Sequence, residues 1–390
     1  MFSALLSIIY ISFISLGLPD SLLGSAWPMM SGELSAPLSY MGIASVIISL
    51  GTVVSSLLAD RITRRLGTGL VTAVSVMLTA VGLLGFSLSP SFALICVFSI
   101  PYGLGAGAVD AVLNNYVAVH YSSRHMNWLH CFWGIGASIG PYVMGAAIGL
   151  GMGWRGGYGI ISVLQIALSF VLFIFLPRWK SCGSEVGSPE SRESSVGIIG
   201  ALRMRGVKAA LLAFFCYCSL EATAGLWASS YLVEYKGVSA ETAAILASMF
   251  YLGITLGRFA CGFISDKVGD KLMIRLGCAV VALGIVLIAI PVKASYLAIA
   301  GLIITGLGAA PIYPSLMHAT PYNFGKDNSQ AIMGIQTASA YVGILIVPAI
   351  FGGIAETNIA IYPFFMLFFA VVLFGFTERL NRVSRGQGVG

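Results

Sequence analysis

The chain has 390 residues, 58% of them hydrophobic and only 9% charged, with a formal net charge of +6. Soluble proteins carry about 25% charged residues, so this composition cannot cover a water-soluble surface and excludes soluble enzymes and nucleic-acid binders. The mean hydropathy of +0.93 and apolar runs near the ~20 residues that cross a bilayer predict an all-α membrane protein.

Apolar segments fall at 3–27, 39–59, 67–89, 92–119, 127–150 and 157–177, then at 209–233, 240–265, 272–291, 294–318, 329–354 and 359–377. The first lacks a basic leader and a small-residue cleavage site, so it reads as a retained span. Within it Asp20 shares a helix face with Gly17, Gly24 and Trp27, one residue after Pro19, which weakens the helix locally. The second ends on Asp60 and Arg61, charges suited to a cytoplasmic helix end. The fourth carries Asp110 and Asn114 at i and i+4, hence on one face. The fifth opens with His130 and Trp133. A Ser/Gly/Glu-rich stretch, SCGSEVGSPESRESS, marks a linker over 178–208 between halves at 1–177 and 209–390. In the seventh span Glu221 has Tyr217 at i−4 and Gly225 at i+4, and lies near the bilayer midplane, with Trp227 further along. The eighth holds Arg258 and ends on Asp266 and Lys267; the tenth and eleventh hold Tyr313, Gln336 and Tyr341.

Charges inside membrane helices are costly and by default face a cavity or a partner. Asp20, Asp110 and Glu221 against one base, Arg258, leave an excess of negative charge that a low-dielectric interior does not tolerate. These three acids are candidates for cation coupling, to H⁺ or Na⁺, with Arg258 as their charge partner. Sugars bind to aromatic faces plus polar donors and acceptors, which makes Asn114, His130, Trp133, Tyr217, Trp227, Tyr313 and Gln336 candidate substrate ligands. Each has a structural alternative: a polar link between helices, an acid reaching surface water, a histidine bonded at a helix end, or an aromatic packed in the bundle. The seven cysteines show no C-x-x-C pair and no Cys/His ligand spacing, so neither a metal nor a cofactor is expected.

Seventeen Lys and Arg fall on the side of the N-terminus and three, Arg155, Lys236 and Lys293, on the other; Arg258 completes the 21. By the positive-inside rule both termini are cytoplasmic, in a multi-pass protein of the plasma (inner) membrane that works as a monomer. The two sets of six spans also repeat. Gly51 and Asp60 match Gly257 and Asp266 at an offset of 206, GLGAG at 103 matches GLGAA at 306 at 203, and Gly136, Pro141 and Gly145 match Gly343, Pro348 and Gly352 at 207. Two pseudo-symmetric six-helix bundles, twelve transmembrane helices in all, are the architecture of a transporter that works by alternating access.

These motifs resemble the major facilitator superfamily, whose loop between helices 2 and 3 reads G-x-x-x-D-R/K-x-G-R-R/K. GFISDKVGDK keeps Gly262, Asp266, Lys267, Gly269 and Lys271, whereas SLLADRITRR keeps Asp60, Arg61, Arg64 and Arg65 but has Ser56 and Thr63 in place of glycines. The resemblance implies that Asp60, Arg61, Asp266 and Lys267 gate the cytoplasmic side. LGLPDSLLGSAWP, GLGAGAVDAVLNN and NWLHCFWGIGASIGP further resemble the fucose permease type of sugar–proton symporters. That type carries a carboxylate in helix 1 and another in helix 4 followed four residues later by Asn, the places of Asp20, Asp110 and Asn114, with Asp110 replacing the usual Glu. The expected function is proton- or sodium-coupled transport of a sugar-like solute. The alternative is a drug–proton antiporter of the same superfamily, whose helix 4 arginine is replaced here by Ser99. No enzyme motif is present.

Overall fold

The computed structural model describes residues 4–37, 40–181, 197–238, 240–291 and 295–385. Residues 182–196, the middle of the expected linker, lie outside them, as does Lys293 of the charge count. All regular structure among the described residues is helical. In chain order the helices are α1 Ala4–Asp20, α2 Leu22–Glu33, α3 Tyr40–Leu66, α4 Thr68–Leu88, α5 Phe92–His120, α6 Ser123–Gly149, α7 Gly153–Ile174 and α8 Leu176–Ser181. They continue with α9 Gly197–Arg203, α10 Val207–Glu234, α11 Ala240–Val268, α12 Asp270–Ala289, α13 Ser295–Ala309, α14 Ile312–His318, α15 Thr320–Phe324, α16 Lys326–Asn358 and α17 Tyr362–Arg385.

Eleven continuous segments among the described residues are long and apolar enough to cross a membrane. The last, Lys326–Val383, contains both α16 and α17, which a short 3₁₀ turn at Ile359–Ile361 separates, so the segments hold twelve spanning helices. Spans 1 and 10 are broken: α1 gives way to α2 at Ser21, and α13 is followed by the short α14 and α15.

The chain forms two compact units. One comprises Met1–Tyr116 and Leu129–Ser195, the other Val117–Trp128 and Val196–Gly390. Within the first, α4 packs along α7; within the second, α10 packs on α16 and α17, and α13 on α11 and α12. The end of α5 and the start of α6 make their contacts in the second unit, which the positions of the apolar segments did not foretell.

Two prolines of the first unit, Pro19 and Pro141, each remove a helix hydrogen bond that a side chain replaces. Proline has no N–H, so the carbonyl four residues earlier loses its donor. For Pro19 that carbonyl is Ser15, and Gln165 Nε2 donates to it at 2.7 Å. For Pro141 it is Ala137, and Ser21 Oγ donates to it at 2.6 Å. In a membrane such replacement donors are what make a broken span tolerable.

The sequence repeat reappears as repeated backbone contact. A Cβ on Gly103 would lie 2.2 Å from the carbonyl oxygen of Ile48, and one on Gly306 would lie 2.2 Å from that of Phe250. Gly136 would likewise collide with Ile14 O at 2.1 Å, and its counterpart Gly343 with Phe215 O at 2.8 Å. Small residues let membrane helices approach until backbones touch, and the same pairs of helices do so in both units.

The missing glycine at Thr63 has an explanation. Gly269 precedes α12 with φ 79° and ψ 151°, and Gly67 precedes α4 with φ 80° and ψ 155°. Positive φ is a conformation glycine adopts without steric cost. The first half keeps this joint but places it seven residues after Asp60, against three after Asp266, so α3 continues about one helical turn further past its aspartate than α11 does.

Candidate functional site

The intramembrane charges divide between the two units. In the first, Asp20 ends α1 beside the Pro19 break and is reached by solvent. Its Oδ2 accepts a hydrogen bond from Trp133 Nε1 at 2.8 Å, so a candidate acid and a candidate substrate ligand are joined directly. On α5, Asp110 Oδ1 accepts from Asn114 Nδ2 at 2.9 Å. Asn114, wholly buried, faces His130 with its other end, Oδ1 to Nε2 at 3.0 Å. Phe13 meets the His130 ring edge-on, with centroids 5.6 Å apart. Asp110 and Asp20 are close enough for each charge to act on the other.

In the second unit, Arg258 Nη2 lies 3.8 Å from Glu221 Oε1, with Arg258 buried and Glu221 largely so. The sequence offered Arg258 to three acids; the structure pairs it with Glu221. Tyr217 lies beside this pair and its ring is 5.9 Å from that of Tyr313. Ser315 Oγ and Thr337 Oγ1 are buried with no hydrogen-bond partner among the described residues. Gln336 is occupied by Thr320, whose Oγ1 donates to its Oε1 at 3.1 Å. Trp227 donates from Nε1 to Pro348 O at 3.1 Å and packs on Phe351, which ties α10 to α16.

With Arg258 committed to Glu221, neither Asp20 nor Asp110 has a Lys, Arg or His ion-pair partner among the described residues. A carboxylate inside a membrane without a counter-charge is stable when it binds a cation, and a proton is the smallest.

The expected gating residues fall in separate places. Asp60 pairs with Arg64 one turn on, Oδ1 to Nε at 3.0 Å, while Arg61 is exposed. Asp266 reaches the turn between α5 and α6: its Oδ1 accepts the Arg124 backbone N–H at 2.9 Å, and its Oδ2 accepts from Ser122 Oγ at 3.0 Å. Arg124 Nε adds an ion pair at 3.2 Å. Lys267 is exposed. A Cβ on Gly262 would lie 2.0 Å from the Trp128 indole, which gives that motif glycine a physical role: it admits Trp128 of α6 against α11.

Residues absent from the sequence reading complete this clasp. Ser123 Oγ donates to Asp270 Oδ1 at 2.6 Å, and His318 bridges Asp270 Oδ2 at 2.6 Å and Tyr121 O at 3.1 Å. On another helix pair, Arg275 grips Glu378 with two hydrogen bonds at 2.6 and 2.7 Å. The signal was a polar Ser122–Ser123 break facing nothing local, and a histidine at the end of span 10.

The sequence model of the Major Facilitator Superfamily matches residues 9–236 and 209–383. Bypass of stop codon protein 6 of Saccharomyces cerevisiae is 25% identical over 66% of this chain, and the match spans only 56% of that relative's length. The glucose/mannose transporter GlcP of Bacillus subtilis is 23% identical over 80% of this chain and 78% of its own. Among solved structures, FucP in an outward conformation aligns at a TM-score of 0.79 and 15% identity over 99% of both chains. A solved structure of the E. coli fucose:proton symporter FucP aligns at a TM-score of 0.77 and 16% identity, over 96% of this chain and 97% of the other.

Proposed function

The chain belongs to the Major Facilitator Superfamily, and from that premise we propose that it carries a sugar-like solute across the plasma (inner) membrane by alternating access of its two halves, 1–177 and 209–390. Transport is coupled to a proton, with sodium as the competing cation. One observation carries the coupling: Asp20 and Asp110 sit near each other with no cationic partner among the described residues, while Glu221 has Arg258. The relatives' names, a glucose/mannose transporter and a fucose:proton symporter, support a sugar rather than a drug. Both termini face the cytoplasm, and a single copy carries out the cycle.

Each unit has its own candidate ligands for the substrate: Trp133 within the first, and within the second Tyr217 and Tyr313, with the Ser315 and Thr337 hydroxyls as further donors. Glu221 and Arg258 set the local charge of the second half. Thermal stabilisation of purified protein tests the substrate class, because a ligand that binds the folded state at 100 times its Kd adds about 2.7 kcal/mol. Stabilisation by a monosaccharide class is expected. Stabilisation by cationic drugs alone overturns the sugar reading in favour of an efflux antiporter.

A further inference from the structure

We propose that Tyr251 is a specificity-determining ligand of the solute, its phenol hydrogen-bonding one hydroxyl of a bound sugar beside the Glu221–Arg258 pair. The inference deepens the reading above and rests on its sugar class. Nothing in the sequence marked Tyr251, one of 16 tyrosines in an aromatic-rich chain.

The second unit's α10 and α11 meet in two rungs. Glu221 and Gly225 stand at i and i+4 on α10, and Tyr251 and Arg258 at i and i+7 on α11, so each pair shares a helix face. Arg258 Nη2 faces Glu221 Oε1 at 3.8 Å and makes the first rung. The second is Tyr251 against Gly225, where an added Cβ would overlap the phenol oxygen. Glycine at 225 is what lets that oxygen lie against the α10 backbone. Gly225 follows Glu221 whereas Tyr251 precedes Arg258, so both steps lead toward the α10–α11 connection.

Exposure, charge and hydrogen bonding make this a place for a ligand. Arg258 is 3% exposed and Tyr251 48%, so the shared face opens from the buried pair toward Tyr251. Ionised groups of a membrane helix turn to a partner or a cavity rather than to lipid, and Tyr251 lies on the face that Arg258 presents to Glu221. The phenol is near enough to Glu221 for the carboxylate's charge to act on it, yet it makes no hydrogen bond among the described residues. Tyrosine offers an apolar ring together with a group that both donates and accepts. Sugar sites combine those two features. A site that hydrogen-bonds one substrate hydroxyl rejects the analogue lacking it, and that behaviour separates a ligand from a residue that only packs.

The test is calorimetric binding to the purified full-length protein. The probes are a panel of neutral aldohexoses and 6-deoxyhexoses, then the single-deoxy analogues of the sugar bound most tightly. Tyr251→Phe keeps the ring and removes the hydroxyl. It should weaken binding of that sugar roughly tenfold, the scale of one hydrogen bond. One deoxy analogue, already lacking the partner hydroxyl, should bind the variant as tightly as it binds the wild-type protein. Gly225→Ala displaces the phenol and should weaken the parent sugar similarly, with no further loss in the double variant. Parent affinity within twofold of wild type in Tyr251→Phe, or the same fold-loss for the parent and every analogue, overturns the role of Tyr251 and leaves the sugar reading standing. Wild-type protein that binds no member of the panel overturns both. If Gly225→Ala does not fold, the pattern across analogues in Tyr251→Phe decides.

Discussion

Asp266 accepts the backbone N–H of Arg124 at 2.9 Å, an amide in the first turn of α6. The first N–H groups of a helix have no partner within it, and a carboxylate there gains from both the hydrogen bond and the helix dipole. Asp266 thus caps a helix that belongs to the other half of the sequence. Asp266→Asn keeps an acceptor but loses the charge, the Arg124 ion pair and the dipole term. It should slow turnover in proteoliposomes several-fold while leaving substrate affinity within a few-fold. A large loss of affinity at normal turnover would mean that this cluster belongs to the binding site.

The His318 contacts make a second, separable expectation. Nδ1 faces a carboxylate and Nε2 a carbonyl, both acceptors, so a doubly protonated ring satisfies both. His318→Phe should therefore loosen residues 117–128 and raise their amide hydrogen exchange, with His318→Gln, able to serve one acceptor, falling between. Unchanged exchange in His318→Phe would show that Asp266 and Ser123 alone hold the segment.

Which glycines matter follows from what they touch. Gly136 and Gly145 both belong to the matched repeat, but a Cβ on Gly136 would strike Ile14 O whereas one on Gly145 meets nothing within 4 Å. Gly136→Ala should cost about 1–3 kcal/mol, the scale of overpacking, seen as a lower unfolding temperature. Gly145→Ala should be neutral or slightly stabilising, since alanine is the better helix former. Equal effects would show that the repeat is not a packing device.

The spans and the repeat were legible because hydropathy and glycine spacing act locally along the chain. The Asp110–Asn114 pair was legible too, since i and i+4 fix a shared face. The Glu221–Arg258 pair was not, because the sequence offered one base to three acids and only the crossing of α10 and α11 chooses among them. The Asp270–His318–Tyr121 clasp joins three distant stretches, and no periodicity connects them. Gly67 was overlooked because one added turn in α3 shifts it four residues from the position the motif assigns to glycine.

Breaking the Glu221–Arg258 pair should be costly in one direction. Glu221→Gln leaves a buried guanidinium without its counter-charge, a change that costs about 3–5 kcal/mol when a buried pair is broken. Pairing it with Arg258→Met should recover most of that loss, measured as unfolding temperature in detergent. If the double variant is no more stable than the single, the two side chains are not energetically coupled.

The central claim is that Asp110 binds the coupling proton. Asp110→Asn cannot ionise, so it mimics the occupied state throughout the cycle. The direct measurement is paired transport by this variant in proteoliposomes: counterflow, which never requires the proton to leave, against accumulation driven by a pH gradient, which does. Counterflow near the wild-type rate with accumulation abolished is the predicted result. Accumulation retained at the wild-type level would contradict the claim and reduce Asp110 to a structural acid.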